Sequence, residues 1–306
     1  LNFFLHFKYQ LKLMDTLKNN KVEAFISAAN NWDIGNYLAM FWCKKRKIPF
    51  YLWGHGLYKK NLNNIFIYLS YKLLLKYQSR YITKYICYNN LVTKSLKKVS
   101  FPSNKLVTIN NTLVKKNIKF SYRKNCKDII YIGRVRDFCN LDLLFEALSI
   151  LKRKKINIRL HCVGDGPKIK YFKSLAKDLK INVCFYGKIY SDSKKKSIAS
   201  KCFAGVYPGN AGLSVVDYLS YSLPVIIHDD IKSHMGPEPF YIKNKFNGLH
   251  FKNKSARSLA HSIYVLYKDK NLSKKISIRS FQTFKKLSEN KMSSQFINLL
   301  KKGTSS

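Results

Sequence analysis

Between residues 128 and 228 short unbroken apolar runs alternate with amphipathic stretches, and that rhythm admits few folds. The apolar runs are Asp128–Ile132, Ile158–Val163, Val183–Tyr186, Ala204–Tyr207 and Pro224–His228. Helical patterns lie between them at Leu141–Lys154, Lys168–Leu179, a short stretch from Asp192, and Ala211–Ser222. Strands that are apolar throughout are buried on both faces, and intervening helices supply the crossovers of parallel strands. The sequence therefore predicts a doubly wound α/β domain with a parallel sheet. The first half repeats the pattern less regularly. Strands are expected at Val22–Ser27, Phe50–Trp53, Ile86–Tyr88 and Leu106–Ile109, with helices over Gly35–Lys47 and Asn64–Lys84. This is a second Rossmann-like unit, short by roughly two βα repeats at its N-terminus. Asn110–Asn125 reads as a polar linker. The expected organisation is a first, incomplete domain over 1–120, a second over 121–285, and a helical tail over 286–306.

A chain of 306 residues can bury two such cores. Its 57 basic and 16 acidic residues give a net charge of +41, which calls for an anionic partner such as a membrane surface, a nucleic acid or a phosphorylated substrate. Only nine of the basic residues are Arg, the side chain that reads base edges. The Lys excess favours diffuse attraction, so no specific nucleic-acid partner is expected. Seven cysteines, odd in number and without a Cys-x-x-Cys pair, fit a reducing cytoplasm better than a zinc site or a disulfide framework. The first residue is Leu, no secretory signal is visible, and no apolar run is long enough to span a bilayer.

The most informative short stretch is Pro208-Gly209-Asn210-Ala211-Gly212-Leu213, which joins a strand to a helix expected to open at about Ala211 and to carry Asp217. Glycines at 209 and 212 let the backbone approach a ligand, and the first N–H groups of a helix favour a phosphate. Asp217 could reach a sugar hydroxyl from the same face. An ordinary βα turn, with its glycines used only for packing, is the competing reading.

Further landmarks follow the same order along the chain: Tyr131-Ile132-Gly133-Arg134, Cys162-Val163-Gly164-Asp165-Gly166-Pro167, Phe185-Tyr186-Gly187-Lys188, Leu223-Pro224-Val225-Ile226 and Asn247-Gly248-Leu249. Together with the 208–217 turn they resemble the donor-binding domain of GT-B glycosyltransferases, in particular the retaining enzymes of family 4 (group 1). In the first half, Ile48–Gly56 resembles the segment that brings a His-Gly to the interdomain cleft, and Val107–Thr112 resembles the end of the acceptor-side domain. The resemblance implies two Rossmann-like domains facing a cleft and transfer from a UDP- or GDP-linked sugar to a saccharide or lipid-linked acceptor. It also implies retention of configuration and no metal or other cofactor, in surface polysaccharide synthesis at the cytoplasmic membrane face.

Residue by residue, the resemblance places Gly133, Arg134, Gly187, Gly209, Asn210, Ala211, Gly212 and Leu213 at the donor. Arg134 then serves the diphosphate, Asp217 the ribose, and His55 the reacting centre. Glu238 lies in a polar loop after the last strand, with His228, Asp229, Asp230 and His234; such a cluster suggests a metal, but its spacing matches no common zinc signature, and Glu238 is read as a donor-sugar contact. Two positions depart from the family pattern. Cys139 stands where a second cation is usual, and Gly209 stands where the first of two glutamates is usual.

Lys72, Lys76, Arg80 and Lys84 recur every fourth residue beside Leu and Tyr, a stripe suited to anionic headgroups, or else a solvated face over a buried one. Besides an active transferase, two readings stay open: a degenerate transferase-like partner, and a basic membrane- or nucleic-acid-binding protein.

Overall fold

The structure is a computed structural model, and it describes residues 12–30, 33–57, 64–115, 118–122, 124–289 and 291–304. Two compact units divide the chain: 1–111 with 290–306, and 112–289. The division falls nine residues before the expected boundary, and the tail belongs to the first unit.

Unit 1 has a four-stranded parallel sheet in the order β1-β2-β3-β4, from β1 (Phe25–Ala28), β2 (Phe50–Gly54), β3 (Lys84–Cys87) and β4 (Leu106–Thr108). A short helix α1 (12–19) precedes it, and α2 (Ile34–Lys45), α3 (Ile65–Ser79) and α4 (Asn90–Lys98) supply the crossovers. Short polar side chains start these helices. Asp33 accepts from the Gly35 N–H, Asn64 from Phe66 and Ile67, and Asn89 from Leu91 and Val92. The last helix, α11 (Met292–Thr304), packs on this sheet: Phe296 meets Trp53 edge-on, and the Tyr51 hydroxyl donates to the Leu299 carbonyl at 3.3 Å.

Unit 2 has a six-stranded parallel sheet in the order β10-β9-β8-β5-β6-β7. Its strands are β5 (Asp128–Ile132), β6 (Leu160–Val163), β7 (Val183–Phe185), β8 (Cys202–Tyr207), β9 (Val225–His228) and β10 (Gly248–Phe251). The helices are α5 (Leu141–Arg153), α6 (Ile169–Asp178), α7 (Asp192–Ala199), α8 (Ser214–Ser220), α9 (Ala256–Lys268) and α10 (Lys270–Glu289). β5, β8 and β9 are apolar and almost wholly buried, as expected of strands covered on both faces. The strand order reverses between β5 and β8, the topological switch point at whose carboxyl end open α/β sheets bind ligands.

Several expectations are corrected. The helix expected over Asn64–Lys84 ends at Ser79, with Arg80 as its C-cap. Lys84 is the first residue of β3 and donates to the Asn104 carbonyl at 2.5 Å, so it cannot belong to a helical stripe. The helix expected from Ala211 begins at Ser214. The helical tail expected over 286–306 comprises the end of α10 and all of α11. All the cysteines are free, and most are buried as small apolar side chains.

Candidate functional site

Two strand ends meet at the switch point of unit 2, and tyrosines join them. Tyr218 of α8 accepts the Ile132 N–H at 2.8 Å and donates to the Val206 carbonyl at 3.3 Å, tying the ends of β5 and β8 together. Its ring lies flat on Gly205, where an added Cβ would come within 2.8 Å of the ring atoms. The Tyr131 hydroxyl donates to the Arg134 carbonyl at 3.1 Å, and its ring packs against Tyr207. Gly133 leaves room for both rings, since a Cβ there would sit 2.7 Å from the Tyr131 oxygen and 2.8 Å from Tyr207.

The loop after β6 lies against the one after β5. The Val135 N–H donates to the Asp165 carbonyl at 3.0 Å. Gly164, at φ +141°, abuts the Gly133 carbonyl too closely for any side chain. This packing presents Arg134 and Arg136 at the carboxyl end of β5.

The 208–213 turn is held from both sides, which revises the roles of its residues. Gly209 lies against the backbone of Phe138 and Cys139, and a Cβ there would collide with the Phe138 carbonyl oxygen. The Asn210 N–H donates to that same carbonyl at 3.3 Å. The Ala211 N–H donates to His234 Nδ1 at 3.0 Å, so His234 carries its proton on Nε2, which donates to the His228 carbonyl at 3.1 Å. Burial pushes His234 down to about 3, which keeps it neutral and stacked on His228 at 3.7 Å between ring centroids. The N–H groups of Gly212, Leu213 and Ser214 are left without a hydrogen-bond acceptor among the described residues.

A cavity of about 960 Å³ opens over these groups. Arg134, Arg136, Lys195 and Lys196 line it, with Gly133, Gly212, Leu213 and Ser214 between them. Its acidic wall is Asp217 of α8 and Asp192 of α7. Lys115 bridges the two acids: its Nζ lies 2.5 Å from Asp217 Oδ1, hydrogen-bonds Asp192, and reaches the Tyr221 hydroxyl at 3.3 Å. Lys195 stands 3.7 Å from Asp217 Oδ2. Burial works to raise Asp192, but hydrogen bonds from Lys115 and Tyr221 outweigh it and hold its carboxyl below the ordinary carboxylate range. Cations, open backbone N–H groups and carboxylates at one switch point can hold a ligand that is anionic at one part and hydroxylated at another.

Of the residues expected at the donor, Gly133, Arg134, Gly212, Leu213 and Asp217 line this cavity, while Gly187, Gly209, Asn210, Ala211 and Glu238 do not. Gly187, at φ +68°, pairs with Gly164 through the Gly164 N–H. Glu238 is buried with its carboxylate against Gly236, close behind Gly212. Cys139 is buried in the core and does not line the cavity. Lys115 went unnoticed as one Lys in a polar linker, and Lys195 and Lys196 as part of a basic run.

His55 lies in unit 1 in the turn after β2. Its ring packs on Tyr88 at 4.6 Å, and Gly54 and Gly56 on either side seat the chain against Tyr85. Among the described residues no group of three or more His, Cys, Asp and Glu is arranged as metal ligands would be. No described helix is long and apolar enough to cross a membrane.

Residues 114–283 match the family described as glycosyl transferases group 1. The chain is 25% identical over 173 residues to the curated protein EpsD of Bacillus subtilis (strain 168), a match that covers 56% of this chain and 44% of that one. The chain thus spans less than half the length of that relative. Among solved structures it resembles Anabaena Alr3699/HepE in complex with UDP, with a TM-score of 0.70 at 14% identity over 96% of this chain and 82% of that one. It also resembles a glycosyltransferase from Rickettsia africae ESF-5, with a TM-score of 0.69 at 19% identity over 98% and 82%. These likenesses show the GT-B fold of two Rossmann-like units.

Proposed function

The chain belongs to the group 1 glycosyl transferases, and on that premise we propose that it transfers a sugar from a UDP- or GDP-linked donor to a saccharide or lipid-linked acceptor. The observation that carries this reading is the convergence of Arg134, Arg136, Lys195 and Lys196 with three open N–H groups and Asp217 in one cavity at the switch point. The leaving diphosphate gains negative charge as the glycosidic bond breaks, and fixed donors aimed at that charge lower the barrier. Arg134 supplies a planar, permanently charged donor, and Asp217 serves the ribose. The UDP bound to Anabaena HepE supports a uridine donor. Cations of the chain, in place of a metal or other cofactor, neutralise the diphosphate, and the configuration at the transferred carbon is retained. Glu238, buried behind Gly212, is assigned to the donor sugar.

Incubating the chain with a panel of UDP- and GDP-sugars and oligosaccharide or lipid-linked acceptors tests this directly. Nucleoside diphosphate release that depends on both donor and acceptor is expected. Nucleotide binding without turnover on any pair would instead favour a degenerate transferase-like partner. His55 is assigned to the transfer step and not to nucleotide binding. His55→Ala should lower kcat tenfold or more while UDP affinity stays within a few fold. Loss of both together in a folded variant would place it in the nucleotide pocket.

A site of action at the cytoplasmic membrane face, in surface polysaccharide synthesis, draws support from unit 1. Phe66, Leu69, Leu73 and Tyr77 form an exposed apolar stripe along α3, beside Ile34, Leu38 and Phe41 of α2. Phe41 meets Tyr77 edge-on, so the stripes adjoin, and Lys72, Lys76 and Arg80 border the α3 stripe. An apolar stripe edged by basic residues suits a helix lying in a headgroup layer. Changing Lys72, Lys76 and Arg80 together to Glu should weaken binding to phosphatidylglycerol vesicles by about 1 kcal/mol per residue without unfolding the chain. Equal vesicle binding by parent and variant at physiological salt would remove the membrane from the proposal.

A further inference from the structure

Two carboxylates in the wall of a pocket meant for a diphosphate pose an electrostatic problem, because each repels the ligand that the neighbouring cations attract. Asp192 sits at the start of α7 and Asp217 in the first turn of α8, and both line the cavity. Lys115 lies between them, its side chain only 7% exposed. An ammonium group has three N–H donors. Here the three partners of Lys115 are Asp192, Asp217 and the Tyr221 hydroxyl, which in turn donates to Asp192 at 2.7 Å. No donor is left over for a ligand.

We propose that Lys115 is a positioning residue of the nucleotide site: it cancels the charge of the acid pair and fixes the Asp217 carboxylate so that Oδ2 is left to a ribose hydroxyl. The assignment rests on the nucleotide reading above and extends it to a residue outside the six landmarks. It also gives the pocket a cation that Cys139, buried in the core, does not supply. Lys195 approaches Asp217 Oδ2 to 3.7 Å, beyond hydrogen-bond reach, so among the described residues Lys115 is the one cation hydrogen-bonded to either acid.

Removing the ammonium should leave two facing carboxylates, which resist ionising together and repel a diphosphate. The test is calorimetric titration of the full chain with UDP between pH 5.5 and 8, for the parent, K115M, D192N and K115M/D192N. At pH 7.5, K115M should bind UDP at least tenfold more weakly than the parent. The ratio of the two Kd values should shrink toward pH 5.5, where the pair takes up a proton. A merely structural lysine would lower stability without producing that pH-dependent ratio.

K115M/D192N, with one carboxylate gone, should differ from the parent by a ratio that does not change with pH, and it keeps the test decisive if K115M alone does not fold. Equal affinity of K115M and parent across the range, or a double variant whose ratio to the parent still shrinks toward pH 5.5, overturns the proposal. A parent chain that binds neither UDP nor GDP overturns the nucleotide reading itself, a failure separable from that of Lys115 alone.

Discussion

Arg134→Ala is expected to reduce donor turnover by about 10²–10³-fold, the loss of roughly 2.7–4 kcal/mol that follows removal of one preorganised donor to a developing negative charge. Arg134 leaves the end of β5 with its carbonyl pinned by Tyr131, so the backbone that aims the guanidinium stays in place when the side chain is truncated. Stability should therefore change little, because the side chain is exposed. Arg134→Lys should recover only part of the activity, since an ammonium keeps the charge but loses the planar fork. Steady-state turnover of the matched nucleotide sugar, read beside the thermal midpoint, separates this from a folding defect. An Ala variant with parental kcat and unchanged nucleotide affinity would show that the diphosphate lies elsewhere.

The second large effect concerns Gly209, where the family pattern invites an acid. Gly209→Glu would restore the first glutamate of the usual pair. The packing predicts a loss. Any Cβ at 209 would collide with the Phe138 carbonyl oxygen and come within 2.8 Å of the Cys139 backbone. Overpacking at such a contact is destabilising, and a carboxylate in that place would also be buried without a counterion. Gly209→Ala should cost on the order of 3 kcal/mol of unfolding free energy, and Gly209→Glu more. Urea unfolding of the two variants checks this; a Glu variant as stable as the parent and more active would contradict the close packing of Gly209 on Phe138 and Cys139.

What was legible in the sequence was mostly what periodicity and backbone geometry write into it. Buried strands such as β8 and β9 are apolar without interruption, and helices follow them at regular spacing, so the doubly wound unit could be read directly. Gly212 and Asp217 stood out because such a strand-to-helix turn lets the backbone approach a ligand, and Gly133 and Arg134 stood out through the family resemblance; all four line the cavity. What sequence missed depended on contacts far apart along the chain.

Lys115 meets Asp192 and Asp217 across more than seventy residues, and nothing local distinguishes it from its basic neighbours. Nothing in the local sequence marks Tyr218, whose hydroxyl joins β5 to β8. Two of the turn's N–H groups, at 210 and 211, are engaged by Phe138 and His234, which shifts the open donors to 212–214. Lys84 kept a four-residue spacing from Arg80 by coincidence, because the helix had already ended and β3 begun.

Whether Arg134 and the 212–214 turn hold a nucleoside diphosphate is decided by calorimetric titration of the full chain with UDP and with GDP, each repeated on Arg134→Ala. One of the two nucleotides should bind with one-to-one stoichiometry and raise the melting midpoint, and the Ala variant should bind it at least tenfold more weakly while remaining folded. A folded parent chain that binds neither nucleotide, or an Arg134→Ala variant that binds as tightly as the parent, would contradict it.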